Sequence, residues 1–390
     1  MKKTFAEVVL LARTGLNPRK NFKLGQGNNN YITIKNIKNN TLVIDENTDV
    51  VDDEAIKLIH KRSKIKKGDI LFASIGRMGD MYIIEDDPVG WDINESVFAF
   101  TLDTNIVRQK YFYYIFRVKS TLDYLASNSS GSTFKSIKMN QLKKMTFDIP
   151  PLEKQDQIVA TLDKVCNVIE MRKQELISLD DLIKARFVEM FGTLDNPAQK
   201  FEKATLKELC NKITDGKHGG CTSEEGTKRY FVGAREIYND EVHYDTAPEI
   251  NVDEFEKDYK RCNIEIGDFL IVNTGATIGK SAIASDERTE HTLLQKSVAL
   301  LKVKQELLNP MFLKWCYRVN TRMYMVESAS AQPNLLLSKI NATEIYVPDM
   351  KLQNQFADFV HQVNKSKVAV QKALDETQLL FNSLMQEYFG

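Results

Sequence analysis

The chain has 390 residues, enough for two or three domains, and its 43% hydrophobic content is ordinary for a soluble fold with real cores. Its 53 Lys and Arg balance 53 Asp and Glu, so net charge alone gives no sign of a nucleic-acid partner. No apolar run approaches the roughly 18 residues of a membrane span, Arg13 cuts the apolar start too short for a signal peptide, and the five cysteines, with no C-x-x-C pair, read as reduced cytoplasmic thiols.

From Met1 to Asp148, basic side chains outnumber acidic ones by 23 to 17. They gather at Lys20, Lys23, Lys35 and Lys38, and again at Lys61, Arg62, Lys64, Lys66 and Lys67. Such runs form either a solvated face or a binding patch, and charge alone does not separate the two. Tyr31 to Ile37 reads as a short strand ending in polar residues. The Gly68-Asp69 turn launches a second strand within Lys67 to Gly76, which runs into a glycine loop at Gly76 and Gly79. Tyr111 to Val118 reads as a helix whose aromatics belong in a core, because they crowd a helix rather than a strand face. A serine-rich turn at Ser127 to Ser132, a polar stretch at Ser136 to Lys144 and a short strand then lead to Pro150.

From Ile149 to Gly192 the pattern is one long helix. Apolar residues fall at Ile158, Leu162, Val165, Ile169, Leu176, Leu179, Ile183, Phe187 and Met190, in steps of three and four interrupted at Arg172. That is a coiled-coil seam, and about 39 helical residues span roughly 58 Å. Thr193 to Lys200, with Asn196-Pro197, reads as a linker.

The second half repeats the first. Phe231 to Ile237 answers Tyr31 to Ile37, Gly267 to Gly275 answers Gly68 to Gly76, Ser297-Val298 answers Ser96-Val97, and Phe312 to Val319 answers the aromatic helix. A serine turn at Ser328 to Ser330 and a polar stretch from Asn334 to Asn341 follow. Val347 to Gly390 then matches Ile149 to Gly192 without a gap at an offset of 198, and both copies close on Phe-Gly. Its seam is Phe356, Val360, Val363, Val370, Leu374, Phe381 and Tyr388, broken at Lys367 and Thr377.

Motifs that invite an enzyme reading do not hold. Gly275-Ala276-Thr277-Ile278-Gly279-Lys280-Ser281 imitates a phosphate-binding loop, but three residues separate its glycines where four are needed, so it reads as a tight strand-to-strand turn. His218, Cys221 and Cys210 lack a second ligand pair at metal spacing. Asp86-Asp87 and Asp52-Asp53-Glu54 have no accompanying lysine or histidine at a suggestive spacing. Gly25-Gln26-Gly27 sits in an asparagine-rich loop, not at a helix start. The expectation is a chain with no catalytic, cofactor-binding or metal residues.

The proline-leucine-glutamine entrance to each long helix (Pro150-Pro151-Leu152 with Gln155, and Pro348 with Gln353), the Gly-Asp strand with its glycine loop, and Gln332-Pro333-Asn334 together resemble the specificity subunit of type I restriction–modification enzymes. The resemblance covers nearly the whole chain. The sequence departs from it at Lys154 and Leu352, where a glutamate is usual, at Asp349 in place of a second proline, and at Thr133-Phe134-Lys135 in place of Gln-Pro-Asn.

The resemblance implies an α/β (α+β) fold in which two target-recognition domains, residues 1–148 and 193–346, alternate with two coiled-coil spacer helices, residues 149–192 and 347–390, packed antiparallel as a pseudo-twofold repeat. It implies a non-catalytic subunit that reads a bipartite double-stranded DNA target, with two methyltransferase and two restriction subunits as partners and no membrane. S-adenosylmethionine, ATP and magnesium would belong to those partners. The ungapped helices would act as a ruler between the half-sites. The competing class is a non-catalytic coiled-coil scaffold joining two protein-binding modules. DNA contacts are expected on polar loops: Lys20, Lys23, Lys35, Asn36, Lys38 and Arg77 in the first half, and Lys217, His218, Arg235, Thr277 and Lys280 in the second.

Overall fold

The computed structural model describes residues 1–131, 134–324 and 334–390. Ser132, Thr133, Ser328 to Ser330 and Gln332-Pro333, parts of the serine turns and of the motif before the second helix, lie outside the described residues. The chain forms two compact units. One comprises Met1–Arg172 with Ala373–Gly390, the other Lys173–Lys372.

In the first unit the chain start is fixed at once. Strand Lys2–Thr4 pairs antiparallel with Thr146–Asp148, and the Met1 amino group donates to the Ile149 carbonyl at 3.1 Å. A four-stranded sheet follows in the order Val9–Thr14, Val97–Leu102, Ile70–Ala73, Met81–Ile83. All four residues of Ile70–Ala73 are buried, as expected of a strand covered on both faces. A second sheet holds Val50–Val51, Asn29–Ile32 and Trp91–Ile93, the last two parallel. Helix Asp53–Ser63 starts at Asp52, whose carboxylate accepts from Glu54 and Ala55 N–H. It ends on a left-handed Lys64 (φ 48°). The basic run thus stands at and just beyond a helix C-terminus, where cations offset the macrodipole.

The second unit repeats this plan. Glu202–Thr205 pairs with Glu344–Val347, the four-stranded order is Cys210–Asp215, Val298–Val303, Phe269–Val272, Ser281–Ile283, and Tyr230–Val232 lies parallel to Thr292–Leu294. The aromatic helices Gln109–Ile115 and Pro310–Val319 place Tyr111, Phe112, Tyr114, Phe312, Trp315 and Tyr317 in the cores, as their crowding predicts. The Gly275–Ser281 stretch joins two antiparallel strands, and its N–H groups are used internally: Gly279 donates to Val272, and Val272 to Lys280. It is a hairpin turn, with no helix after it to cradle a phosphate. Gly76–Asp80 closes the same way, through Ala73.

The long helices are continuous over Leu152–Phe191 and Met350–Phe389, and each passes from one unit into the other. Their ends are buried in the unit cores. Ile158, Leu162, Phe381 and Met385 belong to the first core, and Ile183, Phe187, Phe356 and Val360 to the second. Within each unit the two segments run antiparallel. In the second, Phe187 meets Phe356, while Lys367 reaches back to Asp180 at 2.8 Å. The charge that breaks the apolar seam is therefore paired. The 193–200 linker is tightly held: Thr193 N–H donates to Asn196, and Leu194 N–H to the Asn320 side chain.

Candidate nucleic-acid interface

In each unit the same loops meet at one end of the sheets. In the second, the loop after Cys210–Asp215 joins the turn after Thr292–Leu294, with Lys217 N–H donating to Leu294 and Lys296 N–H to Lys217. The loop after Tyr230–Val232 joins the same turn through Gln295 N–H to Val232 (2.8 Å) and Ala234 N–H to Ser297 Oγ (3.2 Å). Asn273 N–H donates to Ser297, and Leu335 N–H to Asn273. These loops enclose an open concavity of about 410 Å³ lined by Lys217, Gly219, Thr274, Gln295, Lys296, Ser297 and Asn334. Close approach requires Gly216: a Cβ there would lie 2.1 Å from the Leu294 carbonyl oxygen.

The first unit builds the equivalent end. Gly15 N–H donates to Asn94, Asn94 N–H to Ile32, Ser74 N–H to Ser96, and Ile137 N–H to Ser74. A Cβ on Gly15 would sit only 1.6 Å from the Ile93 carbonyl oxygen. Two glycines thus let two loop ends converge.

The expected contact residues fall into four groups. Lys20, Lys23, Lys35, Lys38, Arg235 and Lys280 are exposed. Their side chains form no ion pair among the described residues, so their charge is available to an anion. Arg77, Lys217 and His218 are already engaged. Arg77 donates to the Ile37 carbonyl, tying the Lys35–Lys38 turn to the glycine loop, and its Nε lies 3.3 Å from Asp80 Oδ2. Burial nonetheless raises the Asp80 carboxyl above its usual range. Lys217 Nζ donates to Asp258 at 2.6 Å, and that bond raises the lysine's pKa. His218 Nε2 lies 3.6 Å from Asp215 and 3.5 Å from Arg261. Thr277 is half-buried in its hairpin turn.

Asn36 forms a group of its own, because its amide faces inward. Its oxygen accepts from Thr33 N–H, and its nitrogen donates to Val43 and Thr48. It shapes the turn that carries Lys35. Glu236 does the same beneath Arg235, accepting from Gly233 N–H at 2.9 Å. Lys20 and Lys23 stand on the separate 16–28 loop, held through Tyr31 OH to Leu16.

Sequence reasoning passed over Gln295, Lys296 and Asn334, and in the first unit Lys135, whose carbonyl accepts from Gly76 N–H. Ser297 marks the repeat, but the two residues before it carry no repeated pattern.

Two repeated α/β units and two long helices define the fold class, and solved structures share that fold. The specificity subunit from M. genitalium superposes with a TM-score of 0.54 at 16% identity, covering 100% of this chain and 96% of that one. A chain of a type I R-M system, solved for its complex assembly and conformational transition, gives 0.61 at 16% identity over 99% and 96%. In sequence, the MjaIX specificity subunit of Methanocaldococcus jannaschii is 30% identical over 110 residues, 28% of this chain and 25% of the relative. The Escherichia coli EcoBI specificity subunit is 19% identical over 324 residues, 75% and 67%. The shorter match thus spans about a quarter of its relative's length. The model of the type I restriction modification DNA specificity domain matches twice, over residues 1–180 and 198–377. The chain belongs to that family. Its members are the DNA-recognition subunits of their systems, not the catalytic ones.

Proposed function

We propose that the chain reads a bipartite double-stranded DNA target, one half-site per globular part, for a type I restriction–modification complex. Residues 1–148 and 193–346 are the reading domains, and 149–192 and 347–390 are the spacer between them. Methyltransferase and restriction subunits dock on the chain and bring S-adenosylmethionine, ATP and magnesium. DNA as target and five free cysteines suit work in the cytoplasm.

The observation that carries this reading is the recurrence of one loop end in both units, rimmed by unpaired cations. Lys35 and Lys38 in the first and Arg235 and Lys280 in the second have groups that suit phosphates, and the loops between them present amides and hydroxyls that suit base edges. Asn36 acts by holding its turn in shape.

The test is DNA binding by the chain co-expressed with its methyltransferase subunit, titrated across salt. Lys35→Ala with Lys38→Ala should weaken binding for all sequences and reduce the slope of log affinity against log salt by about two. An unchanged slope would mean that this face does not meet the duplex. Binding of partner subunits with no affinity for DNA in any combination would favour the scaffold reading instead.

A further inference from the structure

Gln295 lines the concavity in the second unit. Its backbone is fixed at both ends, with its N–H donating to Val232 and its carbonyl accepting from Val298 N–H. Its side chain, half-buried, forms no hydrogen bond with any of the described residues. It lies against Gly233, where a Cβ would come within 2.3 Å of the amide oxygen. That glycine has no left-handed backbone to require it; what it leaves is the space for the amide. Lys296, Ser297, Thr274 and Asn334 surround it, with Thr274 Oγ1 3.3 Å from Asn334 Oδ1.

The first unit supplies the contrast. Asn94 holds the equivalent place, two residues before Ser96 as Gln295 is before Ser297. Its side-chain oxygen accepts from Ser96 N–H, Ser96 Oγ and Val97 N–H. There the amide closes its own turn. In the second unit the turn closes through backbone alone, and a longer amide is left facing the cavity with a donor and an acceptor free.

We infer that Gln295 is a specificity-determining residue that reads an adenine in the half-site of the second domain. A glutamine amide matches the N6 donor and N7 acceptor of adenine in the major groove, and no other base offers that pair. Lys296 at its side suits the flanking phosphate. The inference rests on the DNA-reading function proposed above.

The experiment uses the methyltransferase complex built on this chain, with methylated sites mapped across a genome. In Gln295→Ala, one adenine position in one half-site should become tolerant. Discrimination there should fall by about tenfold or more, with every other position and the other half-site unchanged. Gln295→Glu should move preference at that position toward cytosine, whose N4 amine a carboxylate accepts. An unchanged site in Gln295→Ala, or relaxation at a position that is not adenine, overturns the inference. So does loss of all methylation by a variant that keeps the wild-type unfolding temperature, because that would make Gln295 part of the docking machinery. If the Lys35/Lys38 variant weakens DNA binding while Gln295→Ala leaves the letters untouched, only this inference falls. If neither variant has any effect, the DNA-reading function falls with it.

Discussion

Gln155 satisfies three backbone groups from one buried side chain at the start of a helix. Its oxygen accepts from Arg108 N–H at 2.8 Å, and its nitrogen donates to the Ile106 and Pro150 carbonyls at 2.9 and 2.8 Å. Gln353 repeats the set with Asn309, Leu307 and Pro348. The loop before the aromatic helix and the proline entrance are thus tied to one amide. Replacing Gln155 by leucine keeps the volume but leaves one N–H and two carbonyls without partners. At about 1–3 kcal/mol for an unsatisfied buried group, Gln155→Leu should lower unfolding free energy by at least about 2 kcal/mol in a denaturant titration. A change within about 0.5 kcal/mol of wild type would show that water replaces the amide at no cost. A second glutamine, Gln157, stands two residues on. Only Gln155 is buried, since positions two apart point to different sides of a helix. The entrance motif singled out Gln155, but not the three backbone groups that it ties together, nor that Asn36 turns inward.

Elements owe their placement to a few close approaches. The Gly-Asp turn recurs with the glycine left-handed at Gly68 (φ 85°) and Gly267 (φ 96°). Each aspartate accepts from a backbone N–H three residues earlier, Asp69 from Lys66 and Asp268 from Glu265. Beyond the turn they diverge: Asp69 pairs with Arg13 and accepts from Thr101, whereas Asp268 pairs with Lys302. The turn was legible from its local sequence, and the partners were not, because they come from strands distant in the chain. The same limit hid the convergence of loops on Gly15 and Gly216. Gly216→Ala should push the end of Cys210–Asp215 away from the 295–297 turn. The cost is about 1–3 kcal/mol of overpacking, with weaker DNA binding by the complex. Wild-type melting and wild-type affinity together would show that the two loops need not touch.

At the scale of the whole chain, the repeat was visible because the long helices keep register without a gap. The limits of the compact units were not. They fall inside the helices, at Arg172 and Lys372, where each helix runs on unbroken and composition does not change. Each globular part carries its own core and its own loop end, and that independence is what the proposed division of labour requires. The most direct measurement is the methylation map of a chimaera in which residues 193–346 are replaced by the matching segment of the E. coli EcoBI relative, assembled with the chain's own methyltransferase partner. The account predicts that one half-site keeps every base while the other changes to a new sequence. A chimaera that methylates the original target unchanged, or one in which both half-sites change together, would contradict it.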